Sequence, residues 1–169
     1  MAVVQAFDVL ENGLAKTVVR SKVTLRNQAT YTKRYTLTPG RIVIDIELDK
    51  PAGGTYSRGF YALPADYADS LGHAIRMDGR TGNGAGIAGQ CPKAKWFALR
   101  GDGWAKTCVA LTPNFDNISY WDGAAGSYGQ LGFTGNALKG MRVAYFIHGK
   151  EKDFAFAERD YRQAMNPLK

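Results

Sequence analysis

Histidine is the side chain whose ordinary acidity best suits proton exchange near neutrality, and this chain has two, His73 and His148. Neither has a second histidine at the two- or four-residue spacing of a metal site, so no metal is expected at them. His148 closes the apolar run Met141-Arg-Val-Ala-Tyr-Phe-Ile-His148, just before Gly149. At a strand end it is the candidate general acid or base, set against the plainer reading of an ordinary strand-end histidine. Glycosidic chemistry instead needs two carboxyl groups about 5–10 Å apart. Asp45 and Glu47 fall on one face of one strand, near enough to qualify, although such a pair also reads as an exposed, salt-linked face. Asp116 and Asp122 accompany Tyr120 and Trp121. Aromatic faces stack on sugar C–H surfaces and carboxylates accept hydroxyl hydrogen bonds, so Tyr120, Trp121 and Asp122 are candidate sugar contacts.

The charge balance points the same way. A net charge of +7 with a pI near 9.5 suits an anionic partner. No run of five or more Lys or Arg occurs, the nearest cluster being Lys33-Arg34, so nucleic acid is disfavoured, and scattered charge of this kind also reads as an ordinary solvated surface. An acidic oligo- or polysaccharide remains, because the arginine fork matches a carboxylate. Arg76, Arg80 and Trp104 join the candidate ligand contacts on that reasoning. No stretch of 18 apolar residues exists, so no membrane span is expected.

Other motifs exclude more than they suggest. Gly84-Ala-Gly86-Ile-Ala-Gly89 has the letters of a dinucleotide fingerprint, but Gln90-Cys-Pro92 follows it where a helix is required. It reads as a surface loop. No Gly-x-Ser-x-Gly elbow, phosphate-loop lysine motif or Cys-x-x-Cys pair appears, and no cofactor is expected. Cys91 and Cys108 allow one bridge or two buried thiols. A turn centred on Asp102 sets Trp96, not Cys91, opposite Cys108.

The elements that must position these residues are mostly strands. Thr17 to Leu25, Thr30 to Leu37 and Arg41 to Leu48 form an antiparallel meander with turn residues between them. Ile42, Ile44, Ile46 and Leu48 share one face of the last strand. Ala94 to Arg100 and Trp104 to Leu111 flank Gly101-Asp-Gly103 as a hairpin. Met141 to His148 is a further strand. Pro64 to Leu71 reads as a short helix from Leu63, Tyr67 and Leu71 at i, i+4, i+8. The stretch from Thr112 to Gly135, rich in glycine, reads as a loop. A C-terminal helix capped by Asp153 lines up Phe154, Ala157, Tyr161, Ala164 and Met165, with Tyr161 at the centre. Glu158 and Arg162 pair at i, i+4 on its flank.

The whole is expected to be one all-β domain of 169 residues, an antiparallel two-sheet β-sandwich with one short C-terminal helix. A chain of this length buries roughly 68–70% of its unfolded surface without staples. Met1-Ala-Val-Val-Gln lacks the charged and apolar regions of a signal peptide, which suggests a cytosolic protein or a segment of a longer chain.

The block Glu11-Asn-Gly13, Thr17-Val-Val-Arg20, Tyr35-Thr-Leu37 and Ile42-Val-Ile-Asp-Ile-Glu-Leu48 resembles the galactose-mutarotase-like β-sandwich domains of polysaccharide-degrading enzymes. Trp96-Phe-Ala-Leu99 with Cys108-Val-Ala-Leu111 looks like their later hairpin. Glu158-Arg-Asp-Tyr161 to Asn166-Pro-Leu168 is similar to the tail of such domains in exo-acting rhamnogalacturonan-lyase-like proteins. The resemblance implies a carbohydrate-recognising domain of a polysaccharide lyase or glycoside hydrolase, outside the cell or in the periplasm when part of a secreted enzyme. Much of the active site of such enzymes lies on a helical toroid, so the resemblance carries over no catalytic residue. The competing expectation is an assembly module with no small ligand. Self-association fits either.

Overall fold

The computed structural model describes the backbone of residues 3–24, 29–49, 65–69, 74–77, 80–83, 89–92, 95–113, 115–122, 128–135 and 140–166. It describes the side chains of 6–24, 29–49, 95–113 and 140–166. The strands are β1 (Val3–Asn12), β2 (Thr17–Thr24), β3 (Thr30–Thr38), β4 (Arg41–Asp49), β5 (Ala65–Asp69), β6 (Ala74–Met77) and β7 (Arg80–Asn83). They continue with β8 (Gly89–Pro92), β9 (Trp96–Arg100), β10 (Ala105–Ala110), β11 (Phe115–Asp122), β12 (Tyr128–Gly135) and β13 (Met141–His148). One helix, α1 (Ala155–Met165), follows.

Seven strands form an antiparallel sheet in the order β1-β2-β3-β4-β13-β10-β9, and backbone pairing adds β6 and then β7 beyond β9. The expected meander is its first half. Its β-branched residues fit a pleated, half-buried surface. Pro39-Gly40 turns β3 into β4; Gly40 has φ +71°, a region that Cβ-bearing residues rarely enter. Between β9 and β10 the turn spans four residues, Gly101 to Trp104, closed by the Gly101 N–H donating to the Trp104 carbonyl at 3.0 Å. That shifts the expected hairpin register by one: Phe97 lies opposite Cys108, and Trp96 opposite Val109. A Cβ on Gly101 would meet the Trp104 ring at 2.5 Å, so the turn needs glycine there.

Two sequence expectations are overturned. The segment expected as a helix contains β5, which pairs with β12 through Tyr67 opposite Gln130. The segment from Thr112 to Gly135 is not a loop: β11 and β12 pair along their length, with Ser119 opposite Gly132 and Tyr120 opposite Leu131. With β8 beside β11, these strands make a four-stranded ladder, β5-β12-β11-β8. Gly89, read as part of a loop, opens β8, so a strand follows where a dinucleotide site requires a helix.

Both faces of the seven-stranded sheet are buried near its centre. On one face Val43, Trp96, Ala98, Ala105, Val109, Ala144 and Phe146 pack against Phe154, Phe156, Ala157 and Ala164 of the helical segment. On the other, Ile46, Phe97, Leu99, Cys108, Met141 and Val143 are equally buried. β4 therefore contributes to both, Val43 toward α1 and Ile46 with Leu48 away from it.

Asp153 does help to start α1, its Oδ1 accepting from the Ala155 N–H at 2.8 Å. The residue at the cap position itself is Phe154. The centre of the buried stripe is Phe156, 1% exposed, rather than Tyr161, which is half-buried at its edge. Met165 is exposed. Arg162 donates from Nε to the backbone carbonyl of Glu158 at 3.3 Å instead of pairing with its carboxylate.

Candidate functional site

Register across the sheet converts charges scattered in sequence into a line. Asp8 lies opposite Arg20, Arg20 opposite Arg34, Arg34 opposite Asp45, and Asp45 opposite Arg142. Cross-strand neighbours share a face, so five strands contribute to one charged row. The next residues along the same face, Lys22, Thr32 and Glu47, form a second polar row. On the other side of the charged row lies an apolar one, Val18, Thr36, Val43, Ala144, Val109 and Trp96, part of which α1 covers.

An open groove of about 510 Å³ lies over the charged rows, lined by Arg20, Thr32, Arg34, Asp45, Glu47 and Arg142, with Leu10 at its end. The ion pairs within it are unevenly distributed. Arg20 donates from both Nε and Nη2 to Asp8 Oδ2, at 3.1 and 2.7 Å. Arg142 Nε lies 3.1 Å from Asp45 Oδ1. Arg34, exposed between Arg20 and Asp45, makes no ion pair among the described residues. Two guanidiniums directly opposite one another repel. Asp8 relieves Arg20 of that repulsion, and Arg34 is left as an available fork with five N–H donors. Thr32 and Glu47 beside it offer a hydroxyl and a carboxylate. The lining thus presents guanidinium groups of a kind that suits an anion, beside Thr32, Asp45 and Glu47 oxygens of a kind that suits hydroxyl groups.

A second polar cluster lies under the helix. Asp160, 2% exposed, accepts from the Thr107 hydroxyl at 2.5 Å and lies 2.8 Å from His148 Nε2, all through Oδ2. Thr107 and Asp160 are the buried polar residues among those described. The His148 ring sits 5.3 Å from that of Phe156 and is 21% exposed. The carboxylate thereby fixes the imidazole and ties α1 to β10 and β13. This arrangement orients a histidine, and it also supplies the full structural reason for the residue.

The expected ligand contacts are divided between the two sets of paired strands. Arg76 on β6 is in register with Ala98 and Thr81, and Arg80 on β7 with Met77. Tyr120, Trp121 and Asp122 end β11, opposite Leu131, Gln130 and Gly129 of the four-stranded ladder. The side chains of these five residues, and all of His73, lie outside the described residues. Trp104 belongs to the β9–β10 turn, its ring against Gly101 and 5.7 Å from Lys106 Nζ. Asp45 and Glu47 do share an exposed, salt-linked face, as their spacing implies. Sequence reasoning missed Arg20, Arg34 and Arg142 as a group, and Asp160 as the partner of His148. The missing signal was register: Arg20, Arg34 and Asp45 become neighbours only when β2, β3 and β4 are paired. No protein family matches this chain, and no curated protein matches it.

Proposed function

We propose that the groove over β2, β3, β4 and β13 binds an acidic, uronate-containing glycan, and that the chain is a carbohydrate-recognising β-sandwich domain of the galactose-mutarotase-like kind. The observation that carries this reading is Arg34, a guanidinium without an ion-pair partner among the described residues, standing in one row between the paired Arg20 and the Asp45 that Arg142 engages. A uronate carboxylate fits an arginine fork bidentately, and sugar hydroxyls fit the Thr32, Asp45 and Glu47 oxygens. The groove volume of about 510 Å³ suits one or two sugar rings. The two-sheet part of the reading rests on the buried face away from α1, where Phe97, Leu99 and Val143 need an apolar cover. The β5-β12-β11-β8 ladder is the candidate for it. Polysaccharide cleavage, with His148 as acid or base, belongs to the whole enzyme of which such a domain is a part.

Calorimetric titration with oligogalacturonate and with a neutral oligosaccharide of equal length tests this. Binding of the acidic oligomer alone, weakened by salt and by Arg34→Gln, is the expected result. Silence toward both sugars removes the proposal. One observation favours the assembly reading instead: Phe7 and Val9 on the edge strand β1 are 68% and 59% exposed, an apolar surface suited to a protein neighbour.

A further inference from the structure

Arg41, at the start of β4, is a cation in a place that does not suit an unneutralised one. Its guanidinium lies 5.3 Å from the Phe146 ring centroid, and its Nε is buried with no hydrogen-bond acceptor. It makes no ion pair among the described residues. Burial, and then the neighbouring Arg142 charge, push its pKa below the ordinary arginine value. Arg142 does not relieve it, being a like charge already committed to Asp45. The last residues of α1, Ala164 and Met165, line the same groove as Arg41.

The two arginines flank a groove of about 310 Å³ whose other wall is Leu111, Ala164 and Met165. Among the described residues no carboxylate lines it. One side is therefore cationic and the other apolar, and the apolar side includes Met165, an exposed residue at the end of the helix. We propose that this groove is a binding site for a small carboxylic acid with an apolar body, aromatic or short and aliphatic. The carboxylate lies on the Arg41 fork and against Arg142, and the body lies on Leu111, Ala164 and Met165. The volume is at the lower end of the range for small-molecule sites, about 300–1,000 Å³, which limits the ligand to roughly one ring. The part-buried guanidinium that lines the groove can make charge-assisted hydrogen bonds to the carboxylate, and the apolar wall loses contact with water. This site does not depend on the glycan reading; only Arg142 is common to both grooves.

Benzoate, benzyl alcohol and inorganic phosphate, titrated into the full chain and followed by the Met165 methyl resonance, test the site. Benzoate is expected to saturate and to shift that methyl. Benzyl alcohol, the same body without the charge, is expected not to saturate. Arg41→Gln should weaken benzoate by about tenfold or more, the loss of one charge-assisted hydrogen bond. Arg41→Lys, which keeps a cation on β4 and loses the fork, should weaken it by a smaller factor. Arg34→Gln should leave it unchanged while weakening oligogalacturonate binding, so failure of one site is separable from failure of the other. Equal binding of the alcohol, phosphate as tight as benzoate, or benzoate binding that survives both Arg41 variants would overturn the proposal.

Discussion

Asp160 is the residue whose removal should reveal how the helix is held. Its Oδ2 serves two donors, the Thr107 hydroxyl at 2.5 Å and His148 Nε2 at 2.8 Å, and the carboxylate is 2% exposed. Asp160→Ala removes both bonds and leaves the Thr107 hydroxyl buried without an acceptor. An orphaned buried donor costs about 1–3 kcal/mol, and a hydrogen bond to a charged group contributes about 1.5–3 kcal/mol, so about 3 kcal/mol in total is the expectation here. Asp160→Asn keeps one oxygen for both donors and exchanges charged for neutral hydrogen bonds, so about 2 kcal/mol is expected. Thr107→Val leaves the carboxylate with His148 and should cost about 1 kcal/mol. The decisive variant is Thr107→Val with Asp160→Leu, which replaces both partners by apolar groups. It should be more stable than Asp160→Ala alone, because nothing buried is left unsatisfied except at His148, whose ring reaches solvent. Urea unfolding with an unchanged m-value measures all four. If Asp160→Ala costs under about 1 kcal/mol, or the double variant is the least stable of the set, the cluster does not pin α1 and the reasoning fails.

Two further outcomes follow from the same core. Phe156→Ala should cost about 3–5 kcal/mol, as for a fully buried aromatic, and should exceed the cost of Tyr161→Ala, which sits at the edge of the stripe; comparing the two unfolding midpoints checks the order. Burial, reinforced by Tyr35, raises the Tyr31 pKa above its ordinary 10.0, so above pH 10 the unfolded chain releases a proton that the folded chain retains. Stability should then fall as pH rises, by up to about 1.4 kcal/mol per pH unit, and Tyr31→Phe should flatten the slope. Lys33, whose pKa burial lowers, acts in the opposite sense below its ordinary 10.5, so the decline is cleanest above that value.

The elements that could be read from sequence are those whose partners lie next to them in the chain. β2, β3 and β4 show β-branched runs bounded by Pro39-Gly40 and similar turns, and β13 was bounded correctly by its apolar run. β5 failed because Leu63, Tyr67 and Leu71 satisfy a helical period, while pairing with the distant β12 decides the conformation. β11 and β12 failed because their glycines were counted as loop signals. Gly129, Gly132 and Gly135 instead lie in register opposite Asp122, Ser119 and Phe115. Tyr161 was chosen as the centre of the helix stripe by spacing alone. Phe156 and Asp160 take that place because His148 and Thr107 receive them from the sheet.

The charged row shows what composition leaves open, namely which arginines share one face. Arg20, Arg34 and Arg142 are separated by long stretches of chain, and neighbouring residues such as Val19 and Tyr35 belong to the opposite face. Each lies two residues from a member of the apolar row: Val18 and Arg20 on β2, Thr36 and Arg34 on β3, Ala144 and Arg142 on β13. Along β4 the same step separates Val43 from Asp45. The boundary between covered and open surface therefore crosses four strands at one level, and α1 ends beside it at Ala164 and Met165. A slip of one residue in β2, β3 or β13 would turn its arginine to the other face, and in β13, which supplies Arg142 to both grooves, it would break both at once. Register, set by the Pro39-Gly40 turn and the pairing of β13 with β4, is thus the physical quantity that builds the site.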